Sequence, residues 1–236
     1  MTQNDRYDRH LNLAGFNSDA QEKIENARVA VIGTGGLGSP VLLYLAAAGI
    51  GTLGLIDNDL VDTSNLQRQV IHDTPRAGME KTFSAAQSIR ALNPSVEVLA
   101  MQKQLTPQNA RETLDSYDIV VDCSDNFPTR YLVDEVCESL SIPHVWGAVT
   151  AYYGQVSVFA HDGNSRLHDL YPYTEDFSQL PSPAEKGTFG PMCGMVGSLM
   201  AGETVKMITG IGQPLIGRIA LIDTESGTLR TVSINK

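Results

Sequence analysis

Cysteine is scarce in this chain. Cys123, Cys137 and Cys193 are the three in 236 residues, and no two form a CxxC pair. That argues against a disulfide framework and fits a reducing, cytoplasmic setting. Basic residues are in deficit as well: 17 Lys and Arg face 27 Asp and Glu, a formal net charge of −10. General nucleic-acid binders carry a basic footprint, so that class is set aside. No apolar run approaches the ~20 residues of a membrane helix. Met1 to His10 is polar and lacks the apolar centre of a signal peptide. There is no solenoid-period repeat, and the five histidines show no HExxH spacing.

What remains has the composition of an ordinary globular protein, 42% hydrophobic and 19% charged. Ser18 with Gln21 predicts a capping box and a helix to about Glu25. Strand and helix patterns then alternate. Strands are predicted at 28–33, 52–57, 96–101, 119–123 and from 144, and helices at 35–48, 81–92, 107–114 and 127–140. Such alternation implies a parallel sheet covered on both faces. Strands at 153–160, 218–222 and 228–234 and an apolar helix at 192–208 follow. The expected fold is α/β, a Rossmann-like doubly wound, mostly parallel sheet extended by C-terminal antiparallel strands. It reads as one domain over 1–236. Residues 1–27 form an N-terminal arm and helix, 28–150 the nucleotide-binding part, and 151–236 the sheet extension. A long crossing loop falls at about 162–186.

Gly33-Thr-Gly35-Gly36-Leu-Gly38 lies between a predicted strand and helix. Its glycines permit a tight turn and close backbone approach to a phosphate, at a helix end with unpaired N–H groups. Asp57 ends the next strand, where an acid binds ribose hydroxyls. These features predict adenosine binding without separating ATP from a nicotinamide dinucleotide. Asn65, Arg68, Gln69 and Lys81 follow. A triphosphate calls for cations there, because charge builds on phosphoryl oxygens during displacement. The competing reading of Arg68 and Lys81 is a solvated helix face. Gly78 before Lys81-Thr82 lacks Walker spacing. Asp125 sits past a strand end, placed to hold magnesium beside substrate phosphates. A helix cap for the segment from Phe127 is the alternative for Asp125-Asn126.

Arg6-Tyr7-x-Arg9-His10, the glycine turn, Asp57-x-Asp59, Ser64-Asn65-Leu66-Gln67-Arg68-Gln69, Lys81 and Asp125-Asn126 together resemble the MoeB/ThiF/HesA adenylyltransferases, bacterial relatives of the ubiquitin-activating enzymes. The resemblance runs from about Arg6 to Val232. It implies Mg-ATP, and a small ubiquitin-like sulfur carrier whose C-terminal Gly-Gly carboxylate attacks the α-phosphate. Pyrophosphate leaves and an acyl-adenylate forms. By position it implies that Gly33, Gly35, Gly36 and Gly38 form the phosphate turn, and that Asp57 and Asp59 lie at the ribose side. Ser64, Asn65, Arg68, Gln69 and Lys81 surround the triphosphate, with Asn126 beside the metal carboxylate Asp125. Arg9 resembles an arginine that reaches into the partner subunit's site, which implies a homodimer. Three alternatives stay open: adenylation of a ribosomal peptide, an NAD-dependent oxidoreductase, and a non-catalytic dimeric scaffold.

The chain departs from the family in two places. Many members hold zinc with two CxxC pairs. The first pair's positions here carry Arg166 and Asp169, and three scattered cysteines cannot supply four thiolates. No zinc site is expected; His168 and Asp169 read as surface loop. The crossing loop's frequent cysteine is absent: Ser182-Pro183-Ala184 precedes Glu185. Cys193 lies in a small apolar stretch and reads as core, as do Cys123 and Cys137. Trp146, Tyr152 and Tyr153 are candidates for a groove that receives the carrier tail, or for packing aromatics.

Overall fold

A computed structural model describes residues 3–159, 165–173 and 187–234. The alternating apolar runs become β1 (Arg28–Ile32), β2 (Thr52–Asp57), β3 (Glu97–Gln102), β4 (Ile119–Asp122) and β5 (His144–Thr150). β6 (Tyr153–Phe159), β7 (Arg218–Asp223) and β8 (Thr228–Ser233) complete one eight-stranded sheet in the order β3-β2-β1-β4-β5-β6-β7-β8. The first five strands are parallel and the rest antiparallel, as expected. β1 and β4 are almost wholly buried, so they read as continuous Val/Ile runs and not as alternation.

The helices are α1 (Gln3–Leu11), α2 (Ser18–Asn26), α3 (Gly38–Ala48), α4 (Lys81–Leu92), α5 (Ala110–Leu114), α6 (Phe127–Leu140), α7 (Leu167–Leu170) and α8 (Gly190–Thr209). One apolar cluster joins α2, α3, α4 and α8 to the sheet, from Phe16 to Ile222. A second sits under α5 and α6 on the opposite face. α3 and α8 cross closely at Gly197, where a Cβ would stand 2.4 Å from Pro40 Cγ and 2.6 Å from Leu37 O. Only glycine allows that approach.

Several boundaries differ from the sequence reading for local reasons. Asn17, not Ser18, caps α2: its Oδ1 accepts from Ala20 N at 3.0 Å. Gln21 instead donates to Ala48 O at 3.1 Å. α3 starts at Gly38 because Gly35 and Gly36 are spent on the turn before it. α5 shortens to Ala110 because Asn109 Oδ1 accepts from Thr106 N at 2.9 Å, closing a turn ahead of the helix. α1 had no apolar stripe to announce it. It docks through buried Tyr7, whose hydroxyl accepts from Asn93 Nδ2 at 3.0 Å, and through Arg6 Nη1, which donates to Leu92 O at 3.0 Å. Of the expected crossing loop, residues 165–173 are described and contain α7. The remainder, with Ser182-Pro183-Ala184, lies outside the described residues.

Candidate nucleotide site

The carboxyl ends of β1, β2 and β4 open into a cavity of about 280 Å³. Ligands of open α/β sheets bind at this edge, at the switch in strand order. The floor is the turn after β1. Gly33 has φ +88°, and its N–H donates to Ile56 O at 2.8 Å, which pins the turn to β2. Gly38 serves packing: a Cβ there would meet Gly33 O at 2.1 Å. Gly35 and Gly36 face the cavity. A Cβ on Gly36 would stand 3.0 Å from Cys193 Sγ and 3.6 Å from Arg68 Cδ.

Asp57 closes β2 and is locked in place. Its Oδ2 accepts from Thr34 N at 2.8 Å and Thr34 Oγ1 at 3.0 Å, and its Oδ1 accepts from Asp59 N at 2.9 Å. The glycine turn and the ribose acid are therefore one rigid piece. His72 extends it. The buried imidazole bridges Thr34 O at 2.9 Å and Ser84 Oγ at 2.8 Å, joining the turn to α4. Burial lowers the His72 pKa, outweighing the bond to Thr34, so the ring is held neutral.

Lys81 opens α4, buried along its length, with Nζ 2.7 Å from Asp59 Oδ2. It is not a solvated face, and that reading of the sequence is set aside. Arg68 is half-buried, and its Nη2 donates to Asn65 Oδ1 at 2.8 Å. Asn65 thus orients the guanidinium and does not itself line the cavity. Gln69 is buried against the glycine turn, and its Oε1 has no hydrogen-bond partner among the described residues. An orphaned acceptor beside a glycine cradle fits a bound polar ligand. Asp125 stands exposed at the rim. Asn126 caps α6, with Oδ1 accepting from Thr129 N at 3.0 Å, so the capping alternative holds for Asn126 while Asp125 keeps its carboxylate open to the cavity. Asp125 Oδ1 accepts from Asn126 Nδ2 at 3.4 Å; an exposed carboxylate of this kind, with no cluster of three ligands among the described residues, suits magnesium held mainly by substrate phosphates.

Four expected site residues do not line the cavity: Arg9 is exposed on α1, Ser64 is exposed in a 3-10 turn, Asn65 stands behind Arg68, and Gly38 sits beneath. Two lining cations escaped the sequence reading. Lys103 follows β3, where the strand-end rule that picks out Asp57 would have found it. Arg130 lies one turn into α6. Its guanidinium is 5.2 Å from the Phe127 ring and 5.7 Å from the Trp146 ring, and Nη2 donates to Ser124 O at 3.1 Å.

Cys193 lines the cavity wall, and burial raises its thiol pKa. Cys123 and Cys137 are likewise buried with raised pKa values, as core residues. Trp146 is fully buried and packs against Phe159 and Tyr171, so it lines no groove. Tyr152 and Tyr153 are exposed. At the positions expected for a first zinc pair, Arg166 and Asp169 form a capping box on α7 instead: Arg166 N donates to Asp169 Oδ2 at 2.7 Å. A guanidinium and a hydrogen-bonded carboxylate do not fit a thiolate zinc site.

A glycine turn, a locked acid at the end of β2 and converging cations at the strand ends mark a doubly wound protein of the nucleotide-binding class. The chain belongs to the ThiF family, whose sequence profile matches residues 7–236. It is 46% identical to the probable adenylyltransferase/sulfurtransferase MoeZ of Mycobacterium tuberculosis over 98% of this chain, and spans 60% of that protein. The sulfur carrier protein adenylyltransferase of Thermus thermophilus is 43% identical, with 98% of this chain and 88% of that one covered. The SAMP-activating enzyme E1 of Haloferax volcanii is 40% identical, covering 98% and 85%. Among solved structures, MccB of E. coli with ATP superposes with a TM-score of 0.87 at 22% identity, covering 99% of this chain and 73% of that one. That likeness speaks to the fold.

Proposed function

We propose that the chain is an ATP-dependent adenylyltransferase that activates the C-terminal Gly-Gly carboxylate of a small ubiquitin-like sulfur carrier. The observation that carries this reading is the convergence of Arg68, Lys81 and Asp125 on one cavity that already holds the glycine turn and Asp57. A dinucleotide oxidoreductase has no use for that many charges beside its pyrophosphate. The relative from Thermus named as a sulfur carrier protein adenylyltransferase supports the choice of substrate.

In the proposed mechanism, Asp57 receives the ribose hydroxyls, and the N–H groups ahead of α3 receive phosphate oxygens. Arg68, held by Asn65, and Lys81 stabilise the charge that grows on the phosphoryl oxygens. One such donor supplies about 3–4 kcal/mol of transition-state stabilisation. Asp125 would hold magnesium, which would supply positive charge to offset the charge of the phosphates. The carrier carboxylate attacks the α-phosphorus, the bond to the β-phosphate oxygen breaks, and pyrophosphate departs with its electron pair. No protein nucleophile is required, which agrees with a protonated, buried Cys193. Arg9, exposed and remote from its own cavity, would act in a second copy's site, so the working form is a homodimer. The three buried thiols suit the cytoplasm.

Carrier-dependent exchange of labelled pyrophosphate into ATP tests the reading. Exchange with a Gly-Gly-terminated carrier, absent when its terminal glycine is removed, is the expected result. Exchange driven by a ribosomal peptide alone would move the substrate to that class, and tight NAD binding without exchange would refute the proposal.

A further inference from the structure

A set of buried charges lies behind the site and takes no part in the mechanism above. His144 on β5 is fully buried between two buried carboxylates. Its Nε2 is 3.5 Å from Asp122 Oδ2 on β4, and its Nδ1 is 3.4 Å from Asp134 Oδ1 on α6. Asp134 in turn faces the crossing segment. Its Oδ2 is 3.3 Å from Arg166 Nη2, and its Oδ1 accepts from Leu167 N at 3.4 Å. Arg166 Nη1 also pairs with Glu138. At the other end, Asp122 Oδ1 accepts from Ser124 N at 2.9 Å, the residue before Asp125.

Charge balance makes this chain of contacts interdependent. Two carboxylates at 0% and 3% exposure need two cations, and they find them in His144 and Arg166, with Arg130 close to Asp122. Other charged or titratable neighbours include Glu138 on α6, which shares Arg166; Tyr173, which faces Asp134 and Arg166; and Cys137, whose thiol is raised by burial and by Asp134 and Asp122. Asp122 Oδ2 has no hydrogen-bond partner among the described residues, and His144 at ion-pair distance faces that side of the carboxylate. A parallel apolar route runs beside it: Tyr171 of the crossing segment meets Trp146 edge-on, and Trp146 packs on Arg130, which bonds Ser124 O.

We propose that Arg166, Asp134, His144 and Asp122 form a buried ionic relay that positions the Ser124–Asp125 turn, so that seating of residues 165–173 sets the geometry of the carboxylate at the cavity rim. Arg166 and His144 are then positioning residues for Asp125. The relay rests on the functional reading only for what Asp125 does once positioned. Partners one step behind a metal ligand commonly change metal affinity by about 10- to 100-fold when removed.

The test uses the whole chain with Arg166→Met, which keeps the packed stem and removes the charge, and Arg166→Lys as rescue. Amide hydrogen exchange is read at Leu167 and at Ser124, on opposite ends of the relay. ATP affinity is measured by calorimetry with magnesium and with chelator. Faster exchange at both amides, reversed in Arg166→Lys, with roughly tenfold loss of the magnesium-dependent gain in ATP affinity and unchanged affinity in chelator, is the expected result. Faster exchange confined to 165–173, with Ser124 protected as before, overturns the relay. If Arg166→Met does not fold, Glu138→Gln loosens Arg166 from outside and is read the same way. Coupled exchange in a protein that binds no ATP in any form supports the relay and overturns the functional reading instead.

Discussion

Lys81 Nζ stands 2.7 Å from Asp59 Oδ2, with the lysine side chain 6% exposed and the carboxylate 61% exposed. The buried cation is thus held by a partner that sits mostly in water. Removing the lysine leaves Asp59 to rehydrate at little cost. Lys81→Met is expected to keep its melting temperature within a few degrees and lose about 10²–10³-fold in pyrophosphate exchange. Near wild-type exchange in the folded variant would remove Lys81 from the reaction.

Arg9 gives a prediction that separates assembly from fold. It is exposed on α1 and does not line its own cavity. Arg9→Ala and Lys81→Ala proteins, each inactive alone, are expected to recover about a quarter of wild-type exchange when mixed in equal amounts and allowed to trade subunits. That fraction is what random pairing into one intact site per hybrid yields. Subunit exchange without recovery would place Arg9 outside the partner's site.

The buried His144 makes stability pH-dependent. Burial alone would lower its pKa, but Asp122 and Asp134 outweigh that and raise it from 6.5 to about 9. Asp134 responds in kind: burial would raise its pKa, while His144 and Arg166 bring it below the usual carboxylate range. Below pH 6.5 the histidine is protonated in both folded and unfolded chains, and its contribution is fully present. As pH rises, the unfolded chain gives up the proton first, and the contribution is lost by the time the folded ring titrates near 9. Melting temperature is expected to fall by roughly 5–10 °C between pH 6.5 and 9. The slope should flatten in His144→Phe; an unchanged slope would contradict the charged assignment.

Arg166 and Asp169 stand at positions where many members of the resembled family carry a zinc pair, and they hold α7 through hydrogen bonds and ion pairs. Extended dialysis against a strong zinc chelator is therefore expected to leave the melting temperature unchanged, and elemental analysis should find well under one zinc per chain. A chelator-induced drop would show a metal-held segment.

Much of this architecture could be read in advance because its causes are local. The glycine turn, Asp57 and the buried Val/Ile strands announce themselves within a few residues of one another. Lys81 was legible as a helix start but not as a buried cation, because its burial depends on Asp59 and the loop between them. Arg130 was hidden for a different reason. A lone arginine inside an amphipathic helix looks like surface, and only Trp146, brought in by β5, makes it part of the cavity. α1 was missed because its helix rests on Tyr7 and Asn93, 86 residues apart. The buried set around His144 joins residues from β4, β5, α6 and the crossing segment, a pattern with no signature in linear order.

The close crossing of α3 and α8 has a consequence for how the chain can be divided. α8 presses Gly197 onto the helix that begins at the phosphate turn, and a Cβ on its first residue, Gly190, would stand 2.5 Å from Gln67 O, beside Arg68. A fragment ending near residue 150 would keep the glycine turn, Asp57, Arg68, Lys81 and Asp125 yet strip the wall that carries Cys193, and it would uncover Leu37 and Pro40, on which Gly197 packs. The alternating half is therefore no modular cassette.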